Sequence, residues 1–148
     1  MAQGHPLVIA DASVVSKWFL IETYRDDALR LRDDFVSGNL SLASPVVMPF
    51  EVMNAIMFSV KPPDISRVKS AGRSLSLYGI DLYHLKGDYL DLSIAISSRN
   101  SVTIYDGSYI ALAEQLGSVL YTADGKLLDS LTPQDKNYAK HIREYHSP

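Results

Sequence analysis

The chain has 148 residues, 47% hydrophobic and 21% charged, with no cysteine and a formal net charge of −3. That is one domain's worth of chain with enough apolar residues for a buried core, far from a disordered or fibrous composition. The absence of cysteine excludes disulfides, thiolate metal sites and cysteine nucleophiles, and the acidic balance argues against a generic polyanion binder with a broad basic face.

The opening MAQGHPLVIA lacks the basic start and long apolar stretch of a signal peptide. No apolar run approaches the roughly 18 residues needed to span a bilayer, so a soluble, cytoplasmic protein without a membrane contact is expected. Pro6 to Ala10 is a short continuous apolar run ending at Asp11, the pattern of a strand buried on both faces. Ser13 is placed to cap a short helix from Val14 to Leu20, and Thr23 a longer one in which Ala28, Leu31 and Phe35 form an apolar stripe. Gly38-Asn39 ends that helix, a brief strand covers Leu40 to Ala43, and an apolar helix runs from about Val46 to Val60. Lys61-Pro62-Pro63 is a stop, with Asp64 as the cap of an amphipathic helix ending near Gly79. Further on, the patterns predict a short strand at Ile80 to Leu85, a helix from Asp88 to about Ser98, and a strand at Val102 to Tyr105. A helix from Ser108 to Leu116, a strand at Val119 to Thr122 and a helical turn or two at Lys126 to Leu131 complete the alternation. The weakly patterned tail allows a last edge strand near His141 to Arg143. Short β-branched runs alternating with helices spell an α/β protein, a sandwich with a mainly parallel sheet, and no linker or repeat divides residues 1–148 into more than one domain.

Four acids stand where strands are expected to hand over to helices: Asp11, Glu51, Asp106 and Asp124, in VIADASVVSKWF, VVMPFEVMNAI, TIYDGSYIALAE and LYTADGKLL. Any one of them serves equally as a turn residue or a helix cap. Three acids at three strand ends plus one on a helix is what a cation site needs, because gathered carboxylates repel one another unless something positive lies among them. The four histidines show no ligand spacing for zinc, so an ion here would be held by oxygen, which favours Mg²⁺ or Mn²⁺. Such ions activate water for phosphodiester hydrolysis without a protein nucleophile. Ser13, two residues after Asp11, and Thr122, two before Asp124, are candidates to hold the carboxylates from behind, although an N-cap and an ordinary strand residue explain them as well. Asn54, three residues after Glu51, could orient it or meet a phosphate, and Lys17 and Lys126 are candidate phosphate contacts.

Taken together, the segments VIADASVVSKWFL, SPVVMPFEVMNAI, YDGSYIALAEQLG and LYTADGKLL resemble the PIN domain, specifically the small single-domain toxins of the VapC type, over nearly the whole chain. The resemblance implies a three-layer α/β/α sandwich with a parallel sheet and a Mg²⁺- or Mn²⁺-dependent endoribonuclease, the toxin of a type II toxin–antitoxin pair. It puts the catalytic and metal-binding acids at Asp11, Glu51, Asp106 and Asp124, with hydroxyl partners at Thr122 and Ser13. It also implies a helical clamp around residues 64–80, a homodimer, an RNA substrate and a VapB-like antitoxin whose tail fills the groove. A PIN-like nuclease of RNA processing or quality control, and a non-catalytic metal- or peptide-binding module, are the competing readings. A haloacid-dehalogenase-like phosphatase is excluded because its second aspartate would fall on Ser13, and a receiver domain because it needs adjacent acids after the first strand.

Overall fold

The apolar run after Pro6 is β1 (Leu7–Ala10) of a computed structural model that describes residues 5–148. It lies in the middle of a five-stranded sheet, paired in parallel with β2 (Ser41–Pro45) on one side and β4 (Leu120–Thr122) on the other. β3 (Asp81–Tyr83) adds in parallel outside β2, and β5 (Ala139–His141) outside β4, giving the order β3-β2-β1-β4-β5. Ile9, Leu42, Ala43 and Leu120 are fully buried, as strands covered on both faces require. From β1 the chain steps outward to β2 and β3, then crosses back to β4 and steps outward the other way. The order reverses between β1 and β4, and such a reversal opens a crevice at the C-terminal strand ends, where α/β sheets bind ligands. The architecture is the expected three-layer α/β/α, PIN-like sandwich.

Helices fill the crossovers. α1 (Ala12–Val15), a 3₁₀ turn (Ser16–Trp18) and α2 (Arg25–Val36) join β1 to β2. α3 (Met48–Met57) and α4 (Ile65–Leu77) follow β2, α5 (Gly87–Asn100) and α6 (Ile104–Gln115) follow β3, and α7 (Gly125–Ser130) precedes the last strand. Asp64 caps α4 as expected, its carboxylate accepting from Arg67 N at 3.1 Å. Among the described residues no helix is long and apolar enough to cross a membrane.

Three local expectations are corrected. Residues 102–105 do not form a strand: the Thr103 hydroxyl accepts the Asp106 amide at 3.1 Å, Gly107 N donates to Thr103 O at 2.8 Å, and α6 begins at Ile104. Asp106 therefore stands in the first turn of a helix, not at a strand end. Ser13 is inside α1, whose cap is Asp11 itself. Thr23 does not cap α2; the chain enters that helix through Tyr24 in the left-handed region (φ 66°), its ring edge-on to His141 at 4.6 Å.

α6 is buried on every side from Gly107 to Ala113, pressed between the sheet and α5. Gly107 permits that approach, since a Cβ there would collide with Ser97 Oγ and come within 3.0 Å of Ser93 O. Ser97 Oγ is itself committed to Ser93 O and Thr103 O, at 2.7 and 3.1 Å. Gly107→Ala is therefore expected to destabilise the fold by about 1–3 kcal/mol, read as a lower urea midpoint with an unchanged slope. The tail is pinned by Arg99, whose guanidinium grips the buried Asp135 carboxylate at 2.9 and 2.6 Å while Asn100 Nδ2 adds 2.7 Å. That clamp delivers β5 to the sheet edge, two residues ahead of its expected start.

Candidate active site

Asp11 leaves β1 directly into the crevice between β1 and β4 and is buried. Its Oδ1 accepts from Ser13 Oγ at 2.5 Å and Val14 N at 3.2 Å, and its Oδ2 from Thr122 Oγ1 at 2.5 Å. Each hydroxyl has one hydrogen and gives it to Asp11, so the 3.3 Å approach of Ser13 Oγ to Thr122 Oγ1 is a contact rather than a further bond. Both hydroxyl oxygens also accept: Ser13 from Ala123 N at 2.8 Å, Thr122 from Asp124 N at 3.0 Å. The ends of β1 and β4 are thus laced together around one carboxylate. Burial pushes Asp11 up to about 6, with Glu51 adding repulsion, and the three donors hold it from going higher.

Glu51 is half-buried in the first turn of α3, where Pro49 sets the entry. Its Oε1 accepts from Tyr109 Oη at 2.6 Å. Burial raises its pKa, the Tyr109 hydroxyl opposes the rise, and the Asp106 charge adds to it. Asp106 is raised by burial and then by Asp124. Asp124 caps α7, its Oδ1 accepting from Lys126 N and Leu127 N at 3.0 and 3.1 Å. Repulsion therefore couples Asp11 to Glu51, Glu51 to Asp106 and Asp106 to Asp124.

No three of them converge tightly enough to share one ion through carboxylates alone, among the described residues. Mg²⁺ and Mn²⁺ do not ask for that: one or two carboxylates with water completing the shell is their usual protein site. Oxygen donors, burial and the missing counter-cation fit such an ion. Lys17 does not fill that role, because its Nζ lies 3.4 Å from Glu22 in an ion pair. Lys126 is exposed on the first turn of α7. Asn54 is exposed and makes no hydrogen bond to Glu51; the group that orients Glu51 is Tyr109.

No family model and no curated protein sequence matches the chain. Solved structures do. PAE2754 from Pyrobaculum aerophilum superposes with a TM-score of 0.62 at 20% identity, covering 93% of this chain and 92% of that one. VapC20 of Mycobacterium tuberculosis, a toxin that cleaves the sarcin-ricin loop, gives 0.64 at 12% identity over 83% and 94%. The chain has the fold of the VapC toxins. VapBC2 from Rickettsia felis, in a structure bound to a DNA fragment from its promoter, gives 0.61 at 11% identity over 91% and 98%.

On this VapC fold the sequence reading missed Tyr109, which is buried and reaches Glu51 from α6. Its signal was available: Tyr109 follows Asp106 by three residues, which puts both on one helix face. Reading residues 102–105 as a strand concealed that spacing.

Proposed function

We propose that the chain is a Mg²⁺- or Mn²⁺-dependent endoribonuclease and the toxin of a toxin–antitoxin pair. The observation that carries this reading is the set of carboxylates beside the β1/β4 reversal, three of them raised by burial, with no cation paired to them among the described residues. A fold shared with a toxin that cleaves RNA supports the same conclusion. One or two of Asp11, Glu51, Asp106 and Asp124, with water completing the shell, would hold the ion, which when bound supplies Lewis-acid activation of water and neutralises charge on phosphate oxygens. Ser13 and Thr122 fix both oxygens of Asp11 so that its carboxylate needs no reorganisation, and Tyr109 holds one oxygen of Glu51.

Tyr109→Phe removes the hydroxyl that opposes the rise in the Glu51 pKa. Activity at pH 7 is expected to fall about 10- to 100-fold, with the acidic limb of the rate profile moving to higher pH. An unshifted profile would remove Tyr109 from the site.

The VapB-like antitoxin enters the proposal through surface chemistry. Phe50, adjacent to Glu51, and Phe58, at the end of α3, are each 72% exposed, an apolar flank suited to a partner's tail. A homodimer built partly on α4, whose Leu77 is 86% exposed, belongs to the same reading. The test is incubation of purified protein with varied RNAs in Mg²⁺ or Mn²⁺, with and without EDTA. Metal-requiring cuts support the reading; intact RNA under every condition removes the enzyme claim.

A further inference from the structure

Beside the acid row lies a cavity of about 450 Å³ that the catalytic reading leaves unused. Its walls come from Val46 and Val47 ahead of α3, Leu85 and Tyr89 from the β3–α5 region, and Ile104 and Tyr105 at the start of α6. We propose that this cavity receives an unpaired nucleobase of the RNA, from a nucleotide adjoining the phosphate held at the carboxylates. The proposal rests on the ribonuclease reading above and extends it to specificity.

Four observations argue for that occupant. The lining carries no charged side chain, which disfavours a phosphate or a basic or acidic peptide residue and suits a flat neutral body. The size falls within the ordinary range of ligand pockets, roughly 300–1,000 Å³. Tyr89 is buried with its hydroxyl committed to Ser108 O at 3.0 Å, so its ring is a fixed wall, while Tyr105 is 60% exposed and available to stack. Finally, the cavity adjoins the chemistry: Tyr105 directly precedes Asp106, and Val47 caps the helix whose first turn holds Glu51.

The interior offers apolar surface rather than hydrogen-bonding edges, with Thr103 among the few polar groups lining it. Discrimination there follows stacking area, which favours a purine over a pyrimidine. A second copy of the chain is the rival occupant, because Leu82, Leu85, Ile104 and Tyr105 are all partly exposed.

The test uses full-length wild type, Tyr105→Ala and Tyr105→Phe on short single-stranded oligonucleotides that differ only in the base beside the cleaved phosphate. Wild type and Tyr105→Phe are expected to prefer a purine. Tyr105→Ala is expected to lose about 5- to 100-fold in kcat/KM, mostly through KM, and to lose the preference, with melting and sedimentation unchanged. Tyr105→Ala cutting with wild-type efficiency and selectivity would overturn the base pocket while leaving the nuclease intact. Loss of activity accompanied by a shift from dimer to monomer would assign the cavity to a second copy instead. Failure of wild type itself to cut or bind any oligonucleotide would overturn the ribonuclease reading, and the pocket with it.

Discussion

Asp106→Asn is expected to lower metal-dependent RNA cleavage on the order of 10³-fold, the scale seen when a group that acts on the transition state is removed. Asp106 is the acid best suited to this experiment. Asp11 is tied to Ser13, Val14 and Thr122, so changing it disturbs the lacing of β1 to β4. Among the described residues Thr103 is the side-chain hydrogen-bonding neighbour of Asp106, and asparagine keeps its shape. Burial and the Asp124 charge raise the Asp106 pKa, so ionised Asp106 opposes folding. The variant should therefore be at least as stable as wild type near pH 8 while nearly inactive, a combination that separates a functional acid from a structural one. Thermal melts beside cleavage rates provide the check, and a variant that is both unstable and inactive would not support the assignment.

Metal-free protein should be less stable at pH 8 than near pH 5, and Mg²⁺ should offset most of the difference. Asp11 rises from 3.8 to about 6 on folding. A raised folded pKa gives a contribution fully present below the unfolded value and lost as pH climbs through the folded one. A rise of about 2 units at about 1.4 kcal/mol each is about 3 kcal/mol of stability lost between roughly pH 4 and pH 7. Glu51 and Asp106 act in the same direction. Asp135, held down to about 2 mainly by Arg99, has the opposite sign and sustains stability until pH falls toward that value. An ion bound at 100 times its Kd restores about 2.7 kcal/mol at pH 8. Urea titrations at pH 5 and pH 8, with and without Mg²⁺, read both effects. Equal stability at the two pH values, or indifference to Mg²⁺, would mean that the carboxylates are not a strained, ion-seeking set.

Much of this was legible in the residues because it is local. Apolar runs ending at Asp11 and Thr122 announce buried parallel strands, and Asp64 announces its helix. The stretch Val102 to Tyr105 misleads for a physical reason. α6 is buried all round, so it carries no amphipathic stripe, and its β-branched and aromatic entry imitates a strand until Thr103 is recognised as a cap. Ser13 and Thr122 were identifiable as companions of the acids, whereas their convergence on a single carboxylate depends on Thr122 reaching Asp11 across 111 residues. The tail was opaque because polar contacts place it, Arg99 and Asn100 on Asp135, rather than any hydrophobic period. The apolar cavity was equally hidden, since its walls come from separate segments on β2, β3, α5 and α6.

The most direct measurement is a calorimetric titration of EDTA-treated protein with Mn²⁺, in wild type and in Asp106→Asn, at pH 8. Saturable binding to the wild type that is weakened or lost in the variant is the predicted result, since Asp106 can be changed without disturbing the hydrogen bonds that lace β1 to β4. Absence of binding by folded wild type, or equal binding by both proteins, would contradict the assignment of these four carboxylates as one metal-dependent site.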